Sequence, residues 1–311
     1  MSLTTHLNTP APAREARPSS SHGRLRWNGL LCISVAADTG PLTAAIAART
    51  PVVVDDLAAE WPALERWTPA TLAARFGDRR VKVYDARFGE PGANYMGSID
   101  RIPFRDFLAT LLAGERDLRM FLHNLSHAMP ELLEDVRFPD IGLGFSRLFF
   151  FSFFGARGTT TPLHFDIDMG DVLHTAVLGR RRIRLFAPAD ATALYRHPCT
   201  VRSYVDLDAP DRDRHPAIDF ATGHEVVLEP GQTLYMPAGW WHEFHYLEAG
   251  IGVSLRASSP LWRDRLLGAL RLLLTSPADR IANKIAPQAW YAWKDARAAK
   301  RADVLIKAEQ P

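Results

Sequence analysis

LEPGQTLYMPAGWWH, residues 228–242, is the stretch of sequence from which the fold can be inferred. Pro230 and Gly231 suit the second and third positions of a type II turn, because proline fixes a negative φ and glycine accepts a positive φ. A short strand, Thr233–Met236, follows the turn, and a Pro-Ala-Gly break ends it. A further strand begins at His242. The stretch therefore predicts β-structure in which a turn places a histidine at the start of a strand.

A second polar pair lies upstream in TPLHFD, residues 161–166. His164 and Asp166 are two positions apart, and side chains at i and i+2 of a strand point to the same face. The run Phe149–Phe154 before them is apolar and predicts a buried strand, as do the segments 172–177 and 183–186 after them. The pair is therefore expected on a strand inside a β-rich core.

Together His164, Asp166 and His242 provide two imidazoles and one carboxylate. This set leaves about three coordination positions open and is typical of non-haem Fe(II) oxygenases. The same ligands also bind Zn(II), so a Zn or Mn cupin that catalyses hydrolysis or isomerisation is an alternative. A third interpretation is structural, with polar residues on a strand surface and an ordinary packed histidine.

The chain divides into three parts by pattern. Residues 1–24 are rich in Ser, Pro, Ala and Arg without periodicity and are expected to be a disordered tail. Residues 25–258 contain helix and strand patterns first and then strands almost throughout, with an irregular insertion at about 188–224. Two sheets must then cover each other's apolar faces, as in a sandwich or squashed barrel. Residues 259–311 have helical composition, mainly in 261–274 and 278–306.

Composition limits the function classes. The 311 residues are 47% apolar and 23% charged, which is ordinary for a globular protein. A net charge of +2 gives no general affinity for nucleic acid or for a membrane surface, and no apolar run is long enough for a transmembrane helix. Cys32 and Cys199 are the two cysteines, and free thiols in a reducing, cytoplasmic compartment are the simpler expectation.

Three motifs resemble the JmjC-type, cupin-like family of Fe(II)- and 2-oxoglutarate-dependent oxygenases: TPLHFD (161–166), GRRR (179–182) and LEPGQTLYMPAGWWH (228–242). The resemblance implies a mainly β (α+β) fold, in which a double-stranded β-helix carries N-terminal α/β elements and C-terminal helices. It also implies that His164, Asp166 and His242 bind Fe(II). 2-Oxoglutarate would be the co-substrate, converted to succinate and carbon dioxide as a prime substrate is oxidised.

The resemblance assigns the distal carboxylate of 2-oxoglutarate to Arg181, which stands where the family has Lys or Arg. A guanidinium offers a two-pronged hydrogen-bond donor and stays charged when it is buried. Strand alternation places Arg181 on one face with Ile183, while Arg182 and Arg184 lie on the other. We expect Arg180, Arg182 and Arg184 to form a solvated basic face.

Further co-substrate contacts are expected from Thr161, His174, Ser254 and Arg256. For Thr161 and His174 the alternatives are a hydroxyl at the start of a strand and a packed core histidine. The chain departs from the family at three positions, with Val172, Ala176 and Phe121 where relatives often have Asn, Gln and Tyr. These departures leave the three metal ligands unchanged but put the co-substrate contacts in question.

The leading hypothesis is hydroxylation of a protein or peptide side chain. The alternatives are a small-molecule hydroxylase, a lysine demethylase, and a non-catalytic metal-binding cupin that acts as a ligand sensor or scaffold. The C-terminal helices are expected either to cover the barrel or to form a homodimer interface, in which Trp290, Tyr291 and Trp293 would take part.

Overall fold

The structure, a computed structural model, describes residues 25–36, 38–90, 97–114 and 117–309. The expected N-terminal tail, 1–24, lies outside these residues. Within the described part there are fourteen strands: β1 (Arg26–Asn28), β2 (Cys32–Ile33), β3 (Val52–Val54), β4 (Arg80–Val83), β5 (Asp100–Pro103), β6 (Arg119–Asn124), β7 (Phe145–Gly155), β8 (Thr160–His164), β9 (Gly170–Leu178), β10 (Arg181–Phe186), β11 (Thr222–Leu228), β12 (Thr233–Met236), β13 (Trp241–Tyr246) and β14 (Gly250–Ser258).

Eight α-helices occur in the same residues: α1 (Gly40–Ala48), α2 (Ala63–Arg66), α3 (Pro69–Phe76), α4 (Phe104–Ala113), α5 (Leu125–Ala128), α6 (Trp262–Leu270), α7 (Ser276–Ile285) and α8 (Pro287–Glu309). A π-helical turn, Arg271–Thr275, joins α6 to α7. α2 begins directly after Pro62, which cannot donate a backbone hydrogen bond and therefore stands at the helix start.

Twelve of the strands form two large facing sheets, and β4 and β5 form a separate antiparallel pair. One has five strands in the order β1-β11-β10-β13-β8, and the other has seven in the order β2-β3-β12-β9-β14-β7-β6. Neighbours pair antiparallel except β1 with β11 and β2 with β3, which are parallel. Sequence-adjacent strands such as β8 and β9 lie in different sheets, as expected for a jelly-roll. The predicted β-rich double-stranded fold is confirmed.

Alternation along the strands explains how the two sheets share their side chains. The inner faces meet in one apolar cluster, to which β9 contributes Val172 and Ala176 and β10 contributes Ile183 and Leu185. The outer face of the seven-stranded sheet packs against the N-terminal helices. β9 is therefore covered on both sides, and eight of its nine residues are buried. Strands covered on both faces are apolar nearly throughout, and the polar exceptions on their inner faces mark the site.

The long helix α8 covers the insertion between β10 and β11. Ala298 and Ala302 are buried in a cluster with Leu194, Tyr195 and Val205 of that insertion. The expectation that the C-terminal helices cover the barrel region is therefore correct for α8. In the described residues, no helix is both long enough and apolar enough to cross a membrane.

Acidification is expected to destabilise the contact between α8 and the insertion. His197 is buried with its Nε2 3.3 Å from Asp295 of α8. Burial lowers the pKa of His197 to about 4, although Asp295 opposes this shift. The unfolded chain binds a proton near pH 6.5 and the folded chain does not, so stability is lost as the pH falls from about 6.5 to about 4.

Protonation of this one histidine lowers the free energy of unfolding by about 3 kcal/mol at most. Unfolding by urea at several pH values measures it. His197→Asn should make stability less dependent on pH over this range, and the exposed His127→Asn should leave the dependence unchanged. A wild-type profile identical to that of His197→Asn would contradict the prediction.

Candidate metal centre

The two histidines of the triad face each other across neighbouring strands. His164 is the last residue of β8 and pairs directly with His242 of β13, and their ring centroids are 4.3 Å apart. Asp166 lies two residues beyond the end of β8, so the prediction that it belongs to the same strand was wrong. The chain leaves the sheet at Phe165, and Asp166 approaches the two imidazoles from the turn that follows.

The donor atoms of the triad converge. One ligand atom from each of His164, Asp166 and His242 lies within 4.8 Å of the other two. Both imidazoles are fixed through their Nδ1 atoms: that of His164 donates to the Pro162 carbonyl at 2.8 Å, and that of His242 donates to the Trp240 carbonyl at 3.1 Å. Such bonds set the tautomer and leave each Nε2 as the metal-binding atom.

The charges of the triad suit a divalent cation. Burial and, to a smaller extent, the neighbouring His242 lower the pKa of His164 to about 3. Burial also lowers the pKa of His242. For Asp166 burial acts in the opposite direction, but Arg256 and the two histidines outweigh it and hold the pKa at about 2. Near neutral pH the site therefore offers two neutral imidazoles and a carboxylate, the forms that bind metal.

The segment before His242 is held on several sides. Gly239 has a φ of 82°, which L-residues rarely adopt. Trp240 donates from its indole to the Arg49 carbonyl at 3.2 Å, and Trp241 packs edge-on against Phe165 at 4.8 Å. The two tryptophans therefore fix the turn that carries His242.

Arg256 binds the carboxylate ligand itself. Its guanidinium lies 3.0 Å from Asp166 and donates to Asp168 from Nε at 3.1 Å. These contacts place Arg256 where it orients Asp166, and its expected contact with the co-substrate stays a prediction. Sequence reasoning missed Asp168, although the Asp-x-Asp spacing at 166 and 168 was a usable signal.

Arg256→Gln is expected to lower the affinity for Fe(II) by about 10–100-fold, the usual cost of losing a partner of a metal ligand. The guanidinium that positions Asp166 would be lost, while all three ligands remain. Competition titration with a metal-sensitive dye measures the change. Arg182→Gln on the opposite face of the five-stranded sheet serves as the control. Equal affinities for wild type and Arg256→Gln would show that Arg256 does not position the ligand.

A cavity of about 300 Å³ opens beside the triad. Seven of the eight residues selected from the sequence line it: Thr161, His164, Asp166, His174, His242, Ser254 and Arg256. Phe121, Phe153 and Phe244 contribute aromatic walls. The structure thus brings together side chains from β8, β9, β13 and β14, which belong to both sheets.

Arg181, the eighth, does not line the cavity and lies behind two residues that do. Its guanidinium donates to the carbonyls of Leu178 at 3.1 Å and Ile251 at 2.7 Å, and to Nε2 of His174 at 3.2 Å. It also lies 4.9 Å from the centre of the Tyr246 ring. His174 and Tyr246 reach the cavity, so they connect Arg181 to it.

The guanidinium of Arg181 is fully buried, and its burial lowers the pKa. Within the described part of the chain, no carboxylate forms an ion pair with it, and its Nε has no hydrogen-bond partner. Burying a charge without a counter-charge is costly. An anionic ligand near this end of the cavity would compensate the positive charge of Arg181. The distal carboxylate of 2-oxoglutarate would be such an anion.

His174 has a defined tautomer. Its Nε2 accepts from Arg181, so its Nδ1 carries the proton and donates to the hydroxyl of Ser254 at 2.9 Å. Burial, and then the charge of Arg181, keep the pKa of His174 well below its ordinary value. The neutral imidazole therefore links Arg181 to Ser254 on β14.

Gly252 makes room for this arrangement, which sequence reasoning missed. A Cβ atom at position 252 would lie 2.1 Å from the Arg181 guanidinium and 2.8 Å from the His174 ring. Gly252→Ala is therefore expected to displace both side chains and to lower the melting temperature by several degrees, as about 1–3 kcal/mol of overpacking would. Calorimetric unfolding measures this, with the exposed Gly144→Ala as the control. An unchanged melting temperature would contradict the prediction.

The basic residues around Arg181 separate into three environments. Arg180 pairs with Glu248 in solvent, and Arg182 is half-buried beside Asp208. Arg184 is buried and donates to Glu225 at 2.8 Å and to Asp208 at 2.7 Å. The expectation of a solvated Arg184 was therefore wrong, because acidic residues of β11, β13 and the insertion surround it.

The C-terminal helices form part of the cavity wall. Leu272, Ser276, Asp279 and Arg280 line it from the π-helical turn and from α7. Asp279 is buried and accepts from Lys294 at 2.7 Å and from the indole of Trp290 at 2.8 Å. No sequence signal distinguished these positions, because helical periodicity does not identify the face that meets a site.

Comparison with known proteins finds one matching family and several similar proteins. A family described as the cupin-like domain matches residues 41–256. Lysine-specific demethylase 8 of Xenopus tropicalis is 29% identical over 218 residues, covering 66% of this chain and 47% of that protein. tRNA wybutosine-synthesizing protein 5 of Danio rerio is 29% identical over 62% of this chain and 64% of that protein. Jumonji C domain-containing protein 5 of Drosophila melanogaster is 29% identical over 63% of this chain and 51% of that protein. The chain thus spans about half to two thirds of the length of these relatives.

Proposed function

The chain belongs to the family of cupin-like domains, and from this premise we propose that it is an Fe(II)- and 2-oxoglutarate-dependent dioxygenase that hydroxylates a protein or peptide side chain. The observation that supports this most is the combination of two features around one cavity. The triad His164, Asp166 and His242 offers metal ligands on one side, and the buried guanidinium of Arg181 lies behind the wall with no carboxylate partner among the residues that the structure describes.

The donor set fits Fe(II). Two neutral imidazoles and one carboxylate leave positions for a bidentate co-substrate and for dioxygen. Bound iron would couple the oxidative decarboxylation of 2-oxoglutarate to the oxidation of a C–H bond. A Zn(II) hydrolase would have no use for a buried cation near the metal, so Arg181 favours the oxygenase over that alternative.

The chain's own residues supply position and shielding. Arg256 fixes the carboxylate of Asp166. Arg181 would compensate the distal carboxylate of the co-substrate with its positive charge from behind His174, and Thr161 and Ser254 add hydroxyl groups to the same cavity. The rings of Phe121 and Phe153 cover the space beside His164 and His174. Apolar walls exclude water, which strengthens the electrostatic contacts inside.

The charges at the cavity favour hydroxylation over lysine demethylation. Arg202 and Arg280 line it, and both are cationic. Among the described lining residues the carboxylates are Asp166, which is a metal ligand, and Asp279, which is paired with Lys294. A methylated ammonium group would therefore meet positive charge without a free counter-charge. A neutral or acidic side chain fits this environment better.

Succinate formation tests the proposal. Purified protein with Fe(II), ascorbate, oxygen and 2-oxoglutarate should form succinate slowly even without a prime substrate. His164→Ala should abolish this turnover and Arg181→Ala should greatly reduce it, with Arg182→Ala as the matched control. Peptide pools, tRNA and small metabolites added separately should then show which substrate class accelerates turnover.

A negative result has a defined meaning in this assay. Absence of succinate in the presence of each substrate pool, together with absence of Fe(II)-dependent 2-oxoglutarate binding, would favour the non-catalytic metal-binding sensor or scaffold. If tRNA or a small molecule accelerates turnover and peptides do not, the protein is still an oxygenase, but its substrate belongs to that other class.

A further inference from the structure

Two arginines lie over one aromatic ring beside the metal centre. The ring is that of Phe165, which stands between His164 and Asp166 in the chain and lines the cavity. The guanidinium carbon of Arg271 lies 4.7 Å from the centre of this ring, and that of Arg196 lies 6.0 Å from the same point. Arg271 belongs to the π-helical turn, and Arg196 belongs to the insertion between β10 and β11. We call these two residues the arginine pair.

The arginine pair carries positive charge that is not neutralised within the described part of the chain. Neither guanidinium forms an ion pair there, and Nη1 of Arg271 is buried without a hydrogen-bond partner. The acidic side chains around this part of the cavity already have cationic partners, which are Arg256 for Asp166 and Asp168, Lys294 for Asp279, and Arg49 for Asp264. The pair is therefore a candidate site for an anion from outside the chain.

Burial and mutual repulsion both act against the two charges. Burial and, to a smaller extent, the charge of Arg196 lower the pKa of Arg271, while Asp264 opposes them. Burial and then the charge of Arg301 lower the pKa of Arg196. Arginine nevertheless stays protonated in proteins, so the repulsion persists at neutral pH. A carboxylate beside the pair would relieve this repulsion and accept the hydrogen bond that Arg271 lacks.

The arginine pair is adjacent to the cavity wall. Cys199 lines the cavity and lies close enough to Arg196 to interact with its charge. Leu272, the residue after Arg271, also lines the cavity, as does the exposed Arg280 of α7, which adds positive charge to this wall. π-Helical turns such as the one that carries Arg271 are rare and occur frequently at functional sites. A ligand that fills the cavity can therefore extend to the pair.

From the two unneutralised guanidinium groups beside Phe165, we propose that the arginine pair binds an acidic side chain of the peptide substrate, a few positions away from the residue that is oxidised. This inference rests on the proposed function and adds a second recognition site to it. Residues of an extended peptide are about 3.3 Å apart, so one side chain can enter the cavity while a neighbour reaches the pair. Guanidinium groups bind carboxylates through parallel hydrogen bonds, and aspartate or glutamate therefore fits this site.

Two peptide libraries test the site. They carry an uncharged dye and are identical except for glutamate or lysine at alternate positions, and fluorescence anisotropy measures their affinities with Fe(II) and 2-oxoglutarate in the absence of oxygen. Wild-type protein should bind the glutamate library about 10-fold more tightly than the lysine library, and Arg271→Gln should lose about 10-fold in affinity for the glutamate library. Arg263→Gln, at an exposed arginine of α6, should bind as the wild type does.

Several results would overturn the proposal. They are a wild type that binds the two libraries equally, a wild type that does not bind the glutamate library, and an Arg271→Gln variant that binds it as tightly as the wild type. Unfractionated tRNA is the competing ligand in the same assay. If tRNA binds more tightly than the glutamate library and Arg271→Gln weakens that binding, the pair recognises a phosphate backbone and not an acidic peptide.

Charge reversal gives a result that damage to the fold cannot imitate. The double variant Arg196→Glu, Arg271→Glu should bind the lysine library more tightly than the glutamate library, with an unchanged circular dichroism spectrum. A folded double variant that keeps the preference of the wild type would contradict the assignment of the pair.

Failure of this site and failure of the oxygenase are distinguishable. Succinate formation together with equal binding of the two libraries would retain the oxygenase and reject the arginine pair as a substrate site. Preference for the glutamate library without Fe(II)-dependent 2-oxoglutarate binding would reject the oxygenase and support the pair as a site for acidic peptides.

Discussion

Replacing Asp166 with alanine is expected to abolish Fe(II) binding and to reduce succinate formation by more than about 100-fold. This loss is larger than the one that follows when only a hydrogen-bond partner of a metal ligand is removed. The carboxylate is the only anionic ligand of the triad, and without it two neutral imidazoles must hold the ion. Arg256 would still pair with Asp168, so the fold should persist. Calorimetric metal titration and the succinate assay measure the two effects.

The matched control for this substitution is the exposed Asp140→Ala, which removes a carboxylate far from the triad. Asp166→Asn adds a stricter comparison, because it keeps the shape of the side chain and removes its charge. If Asp166→Ala retained wild-type Fe(II) affinity and turnover, the metal centre would have to lie elsewhere.

Replacing Arg181 with glutamine is expected to raise the KM for 2-oxoglutarate by about 10–100-fold, the usual cost of removing one charged partner, and to leave Fe(II) affinity unchanged. The guanidinium supplies the positive charge at the inner end of the cavity, through His174 and beside Tyr246. The KM of Arg181→Lys should lie between the values for wild type and Arg181→Gln, because lysine retains the positive charge but lacks the planar, two-pronged guanidinium.

Arg182→Gln is the control for Arg181, since its side chain lies on the opposite face of the same strand and pairs with Asp208. A parallel loss of metal affinity and 2-oxoglutarate affinity in Arg181→Gln would indicate general damage to the site. An unchanged KM would remove Arg181 from the co-substrate contacts and would favour a site that uses the metal alone.

The fold could be predicted because its strands follow local rules. The turn at Pro230 and Gly231 and the apolar runs at Phe149–Phe154 and 172–177 specify strands from neighbouring residues alone. The three residues proposed as metal ligands stood out for a similar reason: each lies in a short motif whose spacing is fixed by the strand or turn that carries it. Only the exact path at Asp166 differed, since one residue after His164 the chain leaves the sheet.

The remaining features depend on contacts between distant parts of the chain. Arg256 and Asp168 are separated by 88 residues, and the space that Gly252 leaves for Arg181 arises only when β10 and β14 face each other. Arg184 looked solvated because the sequence does not show that Glu225 and Asp208 surround it. Alternation identified the face of each strand, but it could not identify the partner on that face.

The helical C-terminal segment illustrates the same limit. Its periodicity predicted helices, and Trp290, Tyr291 and Trp293 stood out by their size. In the structure Trp290 and Tyr291 contact Asp279 and His197 within the chain, and Trp293 stacks on Trp290 and stays partly exposed. The leucines around Leu273 also remain exposed. Covered and uncovered faces of a helix have the same local pattern, so only the packed structure distinguishes them.

Anaerobic calorimetry of 2-oxoglutarate binding, with and without Fe(II), tests the central claim most directly. We expect wild-type protein to bind 2-oxoglutarate strongly only when Fe(II) is present, His164→Ala to lose this binding, and Arg181→Gln to weaken it while Arg182→Gln does not. Binding that is absent with Fe(II), or that is unchanged by His164→Ala and Arg181→Gln, would contradict an oxygenase site formed by this triad and this arginine.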